Sequence, residues 1–179
     1  MSFQSQIKTL SDKVNHKYQE REVGKFDGGI CGSNLFLSGN ETVVSSSMDT
    51  VHVAHIECNN FVAIPLIDGC KIKLTLLRGN GSAHLVFANS KKPQSSSYLM
   101  WLDTSGTRRY GTFSPPEPGF PPITGGCHFT IELFKGRAII CTPSTSNSPF
   151  STPVPEGFDF GLRIHCIGQK WKLERVCWL

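Results

Sequence analysis

The chain has 179 residues, 39% of them hydrophobic and 18% charged, which suits one packed domain and excludes an intrinsically disordered chain. Its formal net charge is +4, and only Lys91-Lys92 and Arg108-Arg109 place two positive residues side by side. Nucleic-acid-binding proteins gather charge on one face or arm, so nucleic acid is not an expected partner.

Residues 1–22 are the one helix candidate. Phe3, Ile7, Leu10 and Val14 recur at spacings of three and four, which would put them on one helical face. Residues 1–28 are therefore read as an N-terminal arm, helical or flexible, that either meets a partner or packs on its own domain. From Ile30 the period changes to two. The runs NLFLSG, TVHVAHIEC, FVAIPLI, CKIKLTLL, AHLVFAN, SYLMWLD, CHFTIELF, RAIICT, FDFGLRIHCIG and WKLERVCWL read as strands. Turn residues bound nearly all of them, among them Ser38-Gly39-Asn40, Asp68-Gly69, Gly125-Gly126 and Lys135-Gly136. Gly79-Asn80-Gly81, between CKIKLTLL and AHLVFAN, is the strongest hairpin signal, because Asn-Gly accepts the positive φ of a tight turn. Residues 114–122, rich in proline, predict an extended connection. Residues 142–155 predict a long surface loop with Phe150 pinned to the body. The expected fold is all-β: one antiparallel β-sandwich over residues 29–179. Crossover helices are missing, which excludes a doubly wound α/β fold.

No apolar run reaches the ~20 residues of a membrane helix, so membrane insertion is not expected. The N-terminal MSFQSQIKTLSDKVNHKYQ is too polar for the core of a signal peptide. The expected location is the cytoplasm, or outside the cell by a route without a classical signal. The seven cysteines form no C-x-x-C and no zinc spacing. Buried free thiols are the expectation, with disulfides the alternative. Neither metal nor cofactor is expected.

Catalytic signals are weak. His52 and His55 fall on opposite faces of a strand, and the other histidines have no partner at motif spacing. There is no G-x-S-x-G, P-loop or dinucleotide fingerprint. Trp101, Trp171 and Trp178 read as packing residues. A binding protein rather than an enzyme is expected.

From Lys71 to Trp178 the order of features resembles a galectin carbohydrate-recognition domain. The run Phe87-Ala88-Asn89-Ser90-Lys91 is similar to the galectin His-Phe-Asn-Pro-Arg run, with Asn89 matching, Lys91 in place of Arg and Phe87 in place of His. Asp103-Thr104, Gly106 and Tyr110-Gly111-Thr112-Phe113 resemble the Asn-Ser and Trp-Gly-x-Glu segment, with Tyr110 in place of the stacking Trp and Phe113 in place of Glu. Arg108, just before Tyr110, would meet an acidic ligand or stay solvated. The framework from Pro122 to Ile131, and the ending with Leu162, Ile164, Gly168, Trp171 and Leu173, resemble galectin as well. The resemblance implies a concave face carrying Phe87, Asn89, Lys91, Asp103, Arg108, Tyr110 and Phe113. Two polar sugar ligands have become phenylalanine, and Lys91 is a point charge rather than a planar fork. The resemblance thus implies a non-enzymatic recognition module that binds a glycan or a protein partner, with homodimerisation open. The alternatives are a structural or assembly protein, such as a small viral jelly-roll coat subunit, and a sandwich effector that binds protein and no sugar.

Overall fold

The computed structural model describes residues 24–46, 59–81, 83–89, 97–102, 108–109, 124–142, 150–164, 166 and 168–177. The proposed helix over 1–22, the TVHVAHIEC run, the proline-rich connection and Trp178 lie outside the described residues. Within them there are thirteen strands and no helix: β1 (Asp27–Cys31), β2 (Leu35–Ser38), β3 (Val43–Ser46), β4 (Phe61–Ala63), β5 (Cys70–Arg78), β6 (Ala83–Ala88), β7 (Ser97–Leu102), β8 (Arg108–Arg109), β9 (His128–Phe134), β10 (Arg137–Cys141), β11 (Phe150–Pro153), β12 (Asp159–Ile164) and β13 (Lys170–Cys177). They form a six-stranded sheet in the order β1-β4-β12-β6-β7-β8 and a seven-stranded sheet in the order β11-β10-β9-β5-β13-β3-β2. All the pairings are antiparallel. This is the β-sandwich that the period-two pattern predicts.

The pleat sorts the side chains. In β5 the inward set is Ile72, Leu74 and Leu76, each at most 1% exposed, and Lys71, Lys73 and Thr75 point the other way. β9 contributes Phe129 and Ile131, and β13 contributes Trp171 and Leu173, to the same interior. The six-stranded sheet answers with Val62, Leu85, Phe87, Phe160, Leu162 and Ile164. Trp171 is fully buried beside Phe129, with ring centroids 5.8 Å apart, as expected for a packing residue. Each large side chain buried this way is worth roughly 1.5–3 kcal/mol relative to exposure.

The turn chemistry was legible, but one partner was not. Lys135 (φ 49°) and Gly136 (φ 72°) close a two-residue hairpin between Phe134 and Arg137, joining β9 to β10. Gly79-Asn80-Gly81 does turn sharply, with φ of 96° at Gly79 and 107° at Gly81. It makes no hairpin, however, because β5 and β6 belong to opposite sheets. The expectation is corrected to a crossover, stabilised from outside. Gln169, wholly buried, donates from Nε2 to the Asn80 carbonyl at 2.9 Å and accepts at Oε1 from Trp171 Nε1 at 2.9 Å. A Cβ on Gly79 would come within 3.0 Å of the Gln169 Cα, so glycine is needed there for close approach as well as for its φ.

The region 142–155 is not all loop. Phe150–Pro153 pairs with β10 as an edge strand, where Pro153 is tolerated because one side of the strand has no ladder. Phe150 packs against the core, as expected. The sandwich also reaches back to Phe26, which is 1% exposed and donates its N–H to Glu41 O at 2.8 Å.

Candidate recognition surface

A sandwich has two faces turned away from its core, and here they differ in chemistry. On β6, Ala83, Leu85 and Phe87 enter the core, while Val86 and Ala88 join Phe61 and Ala63 of β4 in a second apolar cluster on the opposite side of the sheet. On β12, Phe160, Leu162 and Ile164 face the core, so Asp159, Gly161 and Arg163 share the outer face. Register aligns them in rows. Gly161 pairs with Ala63 and Val86, Arg163 with Phe61 and His84, and Asp159 with Ala88. A Cβ on Gly161 would meet the Val62 carbonyl oxygen and the Phe61 ring, so the ring lies directly over the glycine.

The centre of this face is closed to water: Val86 is 0% exposed, Ala63 1%, Phe61 4% and Arg163 1%. A guanidinium survives such burial only when its neighbours engage it, and Arg163 is engaged. His84, its partner in the ladder, and Asp159, at the other end of β12, are also engaged and half-buried. The outer face of the seven-stranded sheet is mostly polar along its middle strands. There it carries Lys71, Lys73, Thr130, Glu132, Lys172 and Glu174, with Lys71 Nζ 3.9 Å from Glu132 Oε2 and Lys172 Nζ 3.3 Å from Glu174 Oε1. Its exposed apolar side chains, Phe36 on β2, Leu77 near the end of β5 and Phe134 at the end of β9, are scattered singly.

Of the residues expected to bind ligand, Phe87 is corrected. Its ring sits in the inter-sheet core, 2% exposed, edge-on to Phe160 at 5.5 Å between centroids. The pleat is one residue out of phase with the galectin-like alternation. His84, Val86 and Ala88 take the outer face, and Phe87 does not. Asn89 follows the end of β6 and is half-buried. Arg108 is in β8, the edge strand of the same sheet, paired with Leu102. Lys91, Asp103, Tyr110 and Phe113 lie outside the described residues, so of the expected set the structure describes Phe87, Asn89 and the Arg108 backbone and does not gather them on one face. Arg163 and Gly161 were not among the expected site residues. Their signal was there: in FGLRI they alternate with Phe160, Leu162 and Ile164, which marks them as the other face of a strand.

Among the described residues no three His, Cys, Asp or Glu side chains come together as a metal site, and no helix is long and apolar enough to cross a membrane. Cys31, Cys127 and Cys141 are free thiols, as expected. Cys70 is disulfide-bonded, against that expectation. Burial pushes the Cys31 thiol up, and Glu41 adds to the shift. Burial also raises Cys127, partly opposed by a backbone hydrogen bond at Thr124. Both changes reduce the thiolate that a cysteine nucleophile needs.

No protein-family model matches the chain, and no curated protein matches it significantly. Solved structures do. The TRIM65 PSpry domain superposes with a TM-score of 0.57 at 11% identity, over 92% of this chain and 97% of that one. A toad ovary galectin in complex with N-acetylgalactose superposes at 0.41, with 15% identity, over 73% of this chain and 100% of that one. The first likeness establishes a shared fold: the chain is a two-sheet β-sandwich built like a PSpry domain. The second is below the level at which a common fold is argued.

Proposed function

We propose that the chain is a non-enzymatic recognition module that meets a protein partner at the outer face of its six-stranded sheet. The observation that carries this reading is the contrast between the two outer faces. A sheet face that meets only water is polar, and the middle of the seven-stranded sheet, on β5, β9 and β13, is mostly so. The six-stranded sheet instead has an apolar, water-free centre at Val86, Ala63 and Phe61, with His84 and Asp159 half-buried on the same face. That centre is already closed within the chain, so what a partner meets is the half-buried polar rim, His84 and Asp159, and a polar rim is the accessible part of a recognition surface. Partner contacts on this reading run along the rim and the β7–β8 edge.

The fold shared with the TRIM65 PSpry domain agrees with such a module. Between protein and glycan, this face favours protein. A sugar site needs charged and amide groups aimed at hydroxyls, whereas Val86 and Ala88 occupy the centre and Phe87 is in the core. A glycan array screened with the intact chain tests the choice. No galactoside signal is expected; a signal lost in Asn89→Ala and Tyr110→Ala would overturn the protein reading. In parallel, peptides selected by display against the chain are expected to lose at least tenfold in affinity to the His84→Glu/Asp159→Lys variant. Unchanged affinity would place the site elsewhere.

A further inference from the structure

One end of the seven-stranded sheet's outer face is one-sided in charge. On β13 Trp171 and Leu173 enter the core, so Lys170 and Lys172 point outward, roughly 7 Å apart along the strand. On β5 the register slips by one residue. Trp171 pairs with Leu76 and Lys170 with Arg78, which leaves Leu77 as the extra residue of a bulge. The slip brings Arg78 directly opposite Lys170, and both are exposed. Like charges opposed across an antiparallel ladder repel, and no described carboxylate relieves this pair. Glu132 and Glu174, the described carboxylates on the middle strands of this face, are engaged by Lys71 at 3.9 Å and Lys172 at 3.3 Å.

Register carries the row on across the sheet. Lys170 pairs with Ser45 of β3, and Ser45 with Phe36 of β2, the edge strand. Val44 and Leu35 face the core, so Ser45 and Phe36 face outward. Phe36 is 61% exposed, and Leu77, beside Arg78, is 45% exposed. From β2 to β5 the row is therefore apolar, hydroxyl, cation, and cation with an apolar neighbour. Its two apolar side chains stand three strand spacings apart, about 14 Å. Each alone is ordinary; their order with the cations has a complement. An extended chain rises about 3.3–3.4 Å per residue with alternate side chains on one side. Residues i and i+4 of such a chain are thus about 13–14 Å apart on the same side, with i+2 midway.

We infer that this row docks an extended acidic segment of a partner protein. Apolar residues at i and i+4 sit over Phe36 and Leu77, and a carboxylate at i+2 sits beside Lys170 and Arg78. The carboxylate supplies the charge that the opposed cations lack, and the planar Arg78 guanidinium can hold it by two parallel hydrogen bonds. A polynucleotide fits less well, because Glu132 and Glu174 on the same face repel a continuous run of phosphates, whereas a segment with one carboxylate avoids them. This surface is separate from the outer face of the six-stranded sheet and does not depend on it.

The test is a titration of the isotopically labelled full chain with the capped peptide Leu-Ser-Glu-Ser-Leu, followed by amide chemical shifts. Saturable shifts are expected at Phe36, Ser45, Lys170 and Arg78, with affinity falling at least about fivefold between about 50 and about 500 mM salt. The same peptide with lysine in place of glutamate should bind at least about tenfold more weakly, as should the parent peptide with the Arg78→Glu/Lys170→Glu variant. His84→Glu/Asp159→Lys, on the other sheet, should bind it as the wild type does. Shifts confined to other residues, equal binding of the lysine peptide, or unchanged affinity in the Arg78/Lys170 variant would overturn the proposal. So would a single-stranded oligonucleotide that moves the same four amides when the peptide does not. Lys170→Glu alone turns the opposed cations into an ion pair, and should raise Tm by about 1–3 °C while abolishing the shifts. A lowered Tm would show that the opposed cations are no liability and remove the ground for the proposal.

Discussion

The two outer faces of this sandwich are built from strands of similar length and alternation, yet they serve different surroundings. On the seven-stranded sheet the outward positions of β5, β9 and β13 hold mostly lysine, threonine and glutamate, paired loosely across the ladder at Lys71 and Glu132 and along β13 at Lys172 and Glu174, with Leu77 and Phe134 exposed near the strand ends. On the six-stranded sheet the outward positions of β4, β6 and β12 hold Phe61, Ala63, Val86, Ala88 and a buried Arg163. The difference teaches that inward-facing residues define a fold, while the outward ones show what each sheet was made to meet. A polar outer face needs nothing beyond water. An apolar one has to be covered.

The comparison breaks most visibly at Val86. Val86→Asp puts a carboxylate in a site with no exposure and should cost about 3 kcal/mol or more in chemical denaturation. Lys73→Asp, on the other outer face, should stay within about 0.5 kcal/mol. Equal costs would mean that the two faces are equally wet. Gly161→Ala comes next: the new methyl meets the Val62 carbonyl and the Phe61 ring, with an expected loss of about 1–3 kcal/mol. A neutral result would show that Phe61 can swing away and that the cover over the sheet is loose.

On the polar face, a double-mutant cycle on Lys71 and Glu132 should return a coupling of about 0.5 kcal/mol or less that fades in molar salt. Both side chains are 30% exposed, so water screens the pair; a coupling that resisted salt would mark this face as buried too. The smallest expected effect concerns the interior between the faces. Cys31 and Cys127 should be alkylated more slowly in the folded than in the urea-unfolded chain at neutral pH. Burial raises both thiols, so less thiolate is present, and the folded-state rate should climb as pH rises. Equal rates at neutral pH would show that the core opens readily at its edges.

Much of the fold was readable beforehand because a strand's period of two is local. CKIKLTLL, HFTIELF and WKLERV each show which residues turn inward without reference to any neighbour. The candidate surface was less readable. Phe87 was placed among the ligand residues on the order of a run, and a shift of one residue in the pleat moved it into the core. Sequence order cannot report that phase when both faces of a strand are apolar, as they are in Leu85-Val86-Phe87-Ala88. Gly79-Asn80-Gly81 failed in a related way. Its φ angles were legible, but whether the next strand returned beside β5 or crossed to the other sheet depended on Gln169, far along the chain.

The sequence by itself determined an antiparallel β-sandwich, principal strands of it among the described residues, its inward residues on strands with one polar face, and its tight turns. All of these follow from short-range pleat and φ preferences. Tertiary structure decided which strands share a sheet, that Arg163 and Gly161 lie on a covered apolar face, and that Arg78 stands opposite Lys170. These depend on pairings between distant segments, and hydrogen-bonded register across the ladder, rather than local preference, selects them.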